Sequence, residues 1–245
     1  MGFARTLATI LFVIALPIAL ITTNIRILVN APLVYDYAFD RYDAESVTGI
    51  SRDQIDDVGA GLRDYFNNDE DTFYQTVTED GLEGPVFNAR ETTHLQDVKA
   101  LLKNVFRAQE ISVIFVLLYV VAFFIWEREG QVRQLAIQAL IGLGLGVVAV
   151  GAVGIFAAFG FDAAWERFHS LAFANDFWRL NTRTDHLIQM FPEPFWRDMT
   201  ILLGLMCAFE ALLIAAASTV YLVGTRSERR RLAGSVAMTS NTQAA

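Results

Sequence analysis

The chain has 245 residues, 54% of them hydrophobic, with a mean hydropathy of +0.37 and a formal net charge of −8. It is too apolar for an ordinary soluble domain. The charge argues against nucleic acid or anionic lipid as a partner, because residues 31–108 carry sixteen Asp and Glu against seven Lys and Arg, a net −9. Cys207 is the only cysteine, so no internal disulfide can form.

A helix needs roughly 20 mostly apolar residues to cross a hydrocarbon core about 30 Å thick. Four stretches meet that length: residues 7–28, 105–126, 135–159 and 200–223. Backbone groups in lipid must be satisfied within the segment, and none of the stretches alternates apolar with polar residues, so helices are expected rather than a β-barrel. The fold class read from this pattern is all-α integral membrane: four transmembrane helices and a mostly helical extracytoplasmic cap built from outer segments 31–104 and 160–199. Residues 1–226 form one membrane domain, and the basic, then small and polar, stretch 227–245 reads as a disordered cytoplasmic tail.

Taken in order, the first span is longer than the apolar region of a signal peptide and lacks a small-x-small exit, so it reads as retained. Arg5 before it, Arg128 and Arg133 between the second and third spans, and Arg226, Arg229, Arg230 and Arg231 after the fourth all fall on one side of a four-span chain. Lysine and arginine mark the cytoplasmic side, which places both termini there. Arg26 closes the first span, where it can snorkel to the surface or meet a lipid group.

In the first outer segment, Ser51 can cap a helix through Phe66 with Ile55, Val58, Leu62 and Phe66 on one face, followed by a turn at Asn67-Asn68-Asp69. Asn88 with Glu91 three residues on forms a capping box, and the helix it starts can run unbroken into the second span. On that helix His94 shares a face with Val98, Leu101, Val105 and Ala108, while Lys99, Lys103, Arg107 and Glu110 form an opposite stripe. His94 is therefore expected to face packed protein or a cavity, and the charges to face water or headgroups. A buried, hydrogen-bonded core histidine fits the same pattern.

Gly142, Gly144, Gly146, Gly151 and Gly154 in the third span suit close helix approach in lipid. Beyond it, Trp165 and Phe168 suit an interfacial helix carrying His169. Ser170 points about 100° away from its neighbour His169, so a Ser-His pair is not supported. Asn175, Asp176, Asn181 and Asp185 suggest Asx turns, and His186 in that polar loop reads as solvated. Phe191-Pro192-Glu193-Pro194-Phe195-Trp196 opens the fourth helix, prolines in its first turn and aromatics at the outer interface. Glu210 lies in the middle of the fourth span, paired structurally or lining a polar path.

No metal motif and no nucleotide-binding glycine pattern is present. Of the three histidines, His94 precedes the second span and His169 follows the third, so both are expected near the outer membrane surface, at the depth of a lipid ester. Two histidines can divide a proton-transfer task, one as base and the other as acid or oxyanion donor.

The stretch Glu91-Thr92-Thr93-His94-Leu95-Gln96-Asp97-Val98-Lys99 resembles the E-x-x-H-(M/L)-x-D-V-K motif of a bacterial four-helix integral membrane family. Phe168-His169, Phe173, Asn175-Asp176, Trp178, Asp185 and Ile188-Gln189-Met190-Phe191-Pro192-Glu193 resemble its second signature, and Tyr35-Asp36-Tyr37 a weaker third. The match covers nearly the whole chain except the tail, and residues 72–85 match nothing in it. Members of that family include lipoprotein intramolecular transacylases, which move the sn-2 acyl chain of a diacylglyceryl-modified lipoprotein onto the α-amino group of its own N-terminal cysteine. The resemblance implies His94 and His169 as the catalytic pair, with His94 as base for the α-ammonium and His169 acting on the ester carbonyl or leaving alkoxide. It also implies membrane lipid and the lipidated N-terminus of a lipoprotein as partners. Beside the resemblance, Arg26, Asp97 and Glu91 are the expected substrate-binding or orienting groups, Arg26 toward a lipid carbonyl and Asp97 toward a histidine. No metal, nucleotide or other cofactor is required. The transacylase reading expects His94 and His169 to come together across the outer loops beside a cavity open to lipid; a non-catalytic scaffold or accessory subunit, the alternative, expects them far apart or sealed in packing. A small transporter built around Glu210 is a third reading, for which no inverted repeat is seen.

Overall fold

The computed structural model describes residues 2–79, 81–126 and 132–243, without the side chains of 126, 156–159 and 226–243. In chain order the elements are α1 (Gly2–Asn30), α2 (Pro32–Arg41), α3 (Ala44–Thr48), α4 (Arg52–Asn67), β1 (Thr76–Glu79), β2 (Leu82–Pro85), α5 (Ala89–Trp126), α6 (Val132–Phe159), α7 (Phe161–Ala172), α8 (His186–Met190) and α9 (Glu193–Gln243). Among the described residues four helices, α1, α5, α6 and α9, are long and apolar enough to cross a membrane. Each of these helices contains one of the four expected spans. α9 is helical to Gln243, past the point where a disordered tail is expected, and the side chains of that stretch lie outside the described residues.

The described chain divides into two compact units. One comprises residues up to 20, 111–149 and from 207 on; the other comprises 21–110 and 150–206. In the first, Phe12, Leu16, Ala139 and Leu143 form a buried cluster, and the ring of Phe12 stacks on Tyr119 at 4.5 Å. Three polar groups satisfy one another beside it. Tyr119 donates to Gln138 Oε1 at 2.9 Å, the Gln138 amide donates to Thr9 Oγ1 at 3.3 Å, and Thr9 closes the cycle on the Tyr119 hydroxyl at 3.2 Å. Each of the three side chains is thereby bonded to the other two, which lowers the cost of placing polar groups in an apolar span. Two of the five glycines of α6 have a packing role: a Cβ at Gly142 would stand 2.9 Å from the Val13 carbonyl oxygen, and one at Gly146 would stand 2.9 Å from Pro17 Cβ. Gly144, Gly151 and Gly154 face no neighbour among the described atoms. Arg5 donates to Gln134 Oε1 at 2.6 Å, so the starts of α1 and α6 lie at one end, as the four-span reading requires. Arg128, and the side chains of Arg226, Arg229, Arg230 and Arg231 that also carry the orientation argument, lie outside the described residues. Glu210 is half-buried.

The second unit has an aromatic-rich core drawn from Tyr35 and Phe39 of α2, the inner face of α4, Leu95 of α5, and Met190, Phe191 and Phe195 around α8 and α9. Ile55, Val58, Leu62 and Phe66 are all buried, as their spacing predicts. Burial at ~1.5–3 kcal/mol per large apolar side chain accounts for the docking of a helix that is otherwise charged. Ser51 is at the N-cap of α4, but its hydroxyl accepts from the Gln54 amide at 2.9 Å instead of capping the backbone. Residues 72–85 hold the short antiparallel hairpin β1–β2, with Thr76 opposite Pro85 and Gly81 at φ +79°, a left-handed conformation that glycine adopts without steric cost.

Three expectations are corrected in this unit. Lys99 is 5% exposed rather than facing water: its ammonium donates to Asn68 Oδ1 at 2.8 Å and to the Glu70 carbonyl at 2.5 Å, and lies 3.8 Å from the centre of the Tyr65 ring. Lysine's apolar stem lets it cross a buried surface and deliver its charge to acceptors beyond. His186 is not solvated, since Nδ1 lies 2.8 Å from the Val86 carbonyl and Nε2 3.6 Å from Glu79. Phe191 and Phe195 belong to the core and not to an interface, leaving Trp196 as the exposed aromatic of that run.

Candidate functional site

α5 begins with the capping box its sequence predicts. Asn88 Oδ1 accepts from the backbone N–H of Arg90 (2.9 Å) and Glu91 (3.1 Å), and Glu91 Oε2 accepts from the Asn88 N–H at 2.8 Å. The other oxygen of Glu91 accepts from the Leu187 N–H at 2.7 Å, a bond across ninety-six positions that fixes α8 against the first turn of α5. Burial raises the Glu91 carboxyl above the usual carboxylate range, opposed by these two backbone donors. Asp185 completes the joint: it accepts from the Asn88 amide at 3.1 Å and from the Asn181 N–H at 2.7 Å. Glu91 thus orients the helix that carries His94.

One turn further, His94 projects inward at 8% exposure. From α7, His169 at 6% exposure meets it, with ring centroids 5.9 Å apart and planes 36° from parallel. The second and third expected spans lie between the two histidines in sequence, and their rings meet; both are buried, where the transacylase reading expects a cavity open to lipid beside them. Aromatic side chains close around them. Phe173 lies against both, at 5.2 Å from His94 and 5.6 Å from His169. Trp165 meets His169 edge-on at 4.5 Å, and Trp178 lies over it at 4.9 Å. Trp165 is stacked in turn on Trp196 at 5.2 Å.

The two imidazoles differ in their hydrogen bonding. His169 Nδ1 lies 2.8 Å from the Trp165 carbonyl oxygen. A carbonyl can only accept, so Nδ1 carries the hydrogen and Nε2 of the neutral ring keeps its lone pair. His94 Nδ1 is buried and has no hydrogen-bond partner among the described residues. Such an atom costs free energy unless something binds it. Both rings lie outside the four expected spans. Burial lowers the His94 pKa to about 4, with His169 pushing the same way and Asp97 opposing; burial also lowers His169, opposed by its bond to the Trp165 carbonyl.

The remaining expected residues have contacts of their own, and those of Arg26 lie 12 to 16 positions further along α5 than His94. Asp97 Oδ2 accepts from the Asn175 amide at 2.8 Å, so it holds the loop that follows His169 and not an imidazole. Arg26 donates from Nη1 to Gln109 Oε1 (2.9 Å) and Glu110 Oε1 (2.8 Å), with its guanidinium 4.9 Å from the centre of the Phe106 ring. Ser170 donates to the Arg167 carbonyl and takes no part with His169. No group of three His, Cys, Asp or Glu among the described residues is arranged as a metal site. A cleft of about 390 Å³ beside the hairpin is lined by Phe73, Tyr74, Val86, Phe87 and Thr93, among others, and neither histidine lines it. The residues that sequence reasoning left out are Trp165, which it read as an interface anchor, and Phe173, Asn175 and Trp178, which it quoted in the second signature without assigning a contact.

Comparison with known proteins follows the same lines. A family model described as lipoprotein intramolecular transacylase, Lit, matches residues 10–196. No curated protein matches the chain. The chain is similar to the solved structure of the membrane integral lipoprotein intramolecular transacylase Lit from Bacillus cereus, with TM-score 0.76 and 18% identity over 93% of this chain and all of that one. Two variants of the Bacillus cereus protein, with one histidine replaced by alanine or by arginine, are also similar, at TM-scores of 0.71 and 0.70, each 18% identical over 93% of this chain and covering 97% and 96% of theirs.

Proposed function

The chain belongs to the lipoprotein intramolecular transacylase family, and from that membership we propose that His94 and His169 together move the sn-2 acyl chain of a diacylglyceryl-modified lipoprotein onto the α-amino group of its N-terminal cysteine. The protein is a multi-pass membrane acyltransferase. The reacting groups are proposed to meet at the outer leaflet, with both chain termini in the cytoplasm.

We assign the base to His169, reversing the expectation for His94. Its Nδ1–H is committed to Trp165, so Nε2 is an acceptor fixed in direction. As the cysteine nitrogen bonds to the ester carbonyl carbon, Nε2 takes the amine proton. His94, kept neutral by burial, donates from a ring N–H to the carbonyl oxygen as it becomes negative, the part for which an uncharged imidazole is suited. Collapse breaks the bond between the acyl carbon and the glyceryl oxygen, and His169 returns the proton to that oxygen. The product is an N-acylated, lyso-form lipoprotein. Because nucleophile and ester belong to one molecule, positioning provides much of the rate. Arg26 retains guanidinium hydrogens beyond those given to Gln109 and Glu110, and we propose that these meet a lipid oxygen.

The observation that carries this reading is the 5.9 Å separation of two imidazoles, one with a lone pair oriented by a backbone bond and the other with a buried unpartnered nitrogen. The test is mass spectrometry of lipoprotein N-termini from cells with the protein, without it, and with His94→Ala or His169→Ala. The expected result is an acyl chain moved to the amine at unchanged total mass, only with the unaltered protein. Transfer that persists in either variant at the level of the unaltered protein overturns the reading.

A further inference from the structure

Part of the cover over the two imidazoles comes from α7 itself, through Trp165 and Phe168, and the rest from one short stretch of chain. Residues 173–179, between α7 and α8, have no regular secondary structure, and they put Phe173 against both rings and Trp178 over His169. A reacting atom must come within about 3 Å of a ring nitrogen, and rings 8% and 6% exposed do not admit a lipid ester. Something must lift, and the attachments of this stretch single it out. Arg90 donates to the Asp176 carbonyl at 2.8 Å, and Arg179 reaches Glu166 at 3.0 Å and Asp176 at 3.2 Å. The side chains of Arg179, Glu166 and Asp176 are all more than half exposed, and exposed ion pairs hold little. The partly buried tie is that of the Asn175 amide to Asp97, a charge-assisted bond at 2.8 Å three residues beyond His94.

We propose that residues 173–179 form a lid over the histidine pair, latched to α5 by Asn175 on Asp97, and that its closure decides whether the acyl chain goes to the amine or to water. The inference rests on the acyl-transfer reading. A base that takes a proton from an attacking amine also takes one from water. In the hydrolytic outcome the water oxygen bonds to the acyl carbon, the bond from that carbon to the glyceryl oxygen breaks, and the proton taken from water ends on the glyceryl oxygen. The products are free fatty acid and a lyso-lipoprotein with an unmodified amine. In transfer the nitrogen takes the place of the water oxygen, and every protein group acts in the same way. The outcome therefore depends on which nucleophile is present beside the carbonyl. The tethered amine is, and closure of the aromatic cover over the bound ester excludes bulk water.

The experiment uses the full chain in lipid nanodiscs with a diacylglyceryl lipopeptide, measuring N-acyl product and free fatty acid together. Losing the latch is expected to raise the open population roughly tenfold, so Asn175→Ala raises the ratio of fatty acid to N-acyl product by about that factor. Asn175→Asp, which sets two carboxylates face to face, raises it at least as far. The exchanged pair Asn175→Asp with Asp97→Asn restores a donor and an acceptor and brings the ratio back toward that of the unaltered protein. Trp178→Ala opens the cover without touching the latch and moves the ratio the same way. If the unaltered protein transfers but these variants lose N-acyl product and fatty acid together at a constant ratio, the lid is overturned and the acyl-transfer reading stands. If the unaltered protein forms no N-acyl product, the reading beneath both fails.

Discussion

His169 Nδ1 lies 2.8 Å from the carbonyl oxygen of Trp165, one turn earlier on the same helix. This local bond sets the hydrogen on one nitrogen and the lone pair on the other, and no second residue is needed to orient the ring. The side chain of Trp165 supports the same arrangement from below, between His169 and Trp196. Replacing His169 or His94 by alanine is expected to lower transfer by roughly 10²–10⁴-fold, the range for removing a positioned proton-transfer group. Helix content by circular dichroism should be unchanged, since neither ring makes a bond on which an element depends.

The imidazoles should not limit activity in mild acid. A base must be neutral to act, and both imidazoles are held below the ordinary histidine value by burial. The kcat/KM profile is therefore expected to show one acid limb near the pKa of the substrate's own α-amine, about 7.7–8.0, and the limb of the imidazoles only below pH 6.5, measured as N-acyl product formed per unit time.

Stability should fall over a related window. The folded-state pKa of His94, about 4, is below its unfolded value, so between pH 6.5 and 4 the unfolded chain binds the proton that the folded chain refuses. Stability is full above the unfolded value and is lost as pH falls through that window, by roughly 3 kcal/mol. Thermal unfolding in detergent at stepped pH reads this out, and His94→Gln should flatten the dependence.

Lys99 and Lys103 are four residues apart on α5 and should behave differently. Lys99→Ala leaves two acceptors, Asn68 Oδ1 and the Glu70 carbonyl, without their buried donor and removes the contact with Tyr65, at an expected cost of about 2–3 kcal/mol. Lys103→Ala breaks an exposed pair with Asp69 and should cost under about 1 kcal/mol. Chemical denaturation of the two variants side by side tests the contrast.

Glu91→Ala removes the acceptor for two backbone N–H groups at once, so about 2–4 kcal/mol is expected to be lost. Glu91→Gln keeps one carbonyl oxygen and should lose roughly half of that. If the carboxylate instead acted on substrate, Glu91→Gln would abolish transfer at full stability.

The periodic features of this fold were legible in advance. The α4 face was found because four apolar residues recur at helical spacing, and the α5 cap because asparagine and glutamate stand three apart; both are relations within one turn or two. The inward direction of His94 follows from the same periodicity. Its meeting with His169 does not, because nothing local couples residues on two helices with two membrane spans between them. Lys99 was misread for a complementary reason: charge predicts a solvated face only when no acceptor is buried beneath it, and the acceptors here come from the turn after α4. The hairpin at 76–85 has strands of four residues, too short for alternation to register. Glu91 was found as a cap, while its second bond, to Leu187, depends on a segment that periodicity cannot bring near.

The core of the second unit carries a consequence for biosynthesis. Ile55, Val58, Leu62 and Leu95 share their cluster with Met190, Phe191 and Phe195. A ribosome delivers the first group long before the last, and two further apolar stretches are inserted in the interval. Until the final segment has been made, the early one stands with an unfinished apolar surface. A chain that stopped short of α8 would leave that surface permanently exposed.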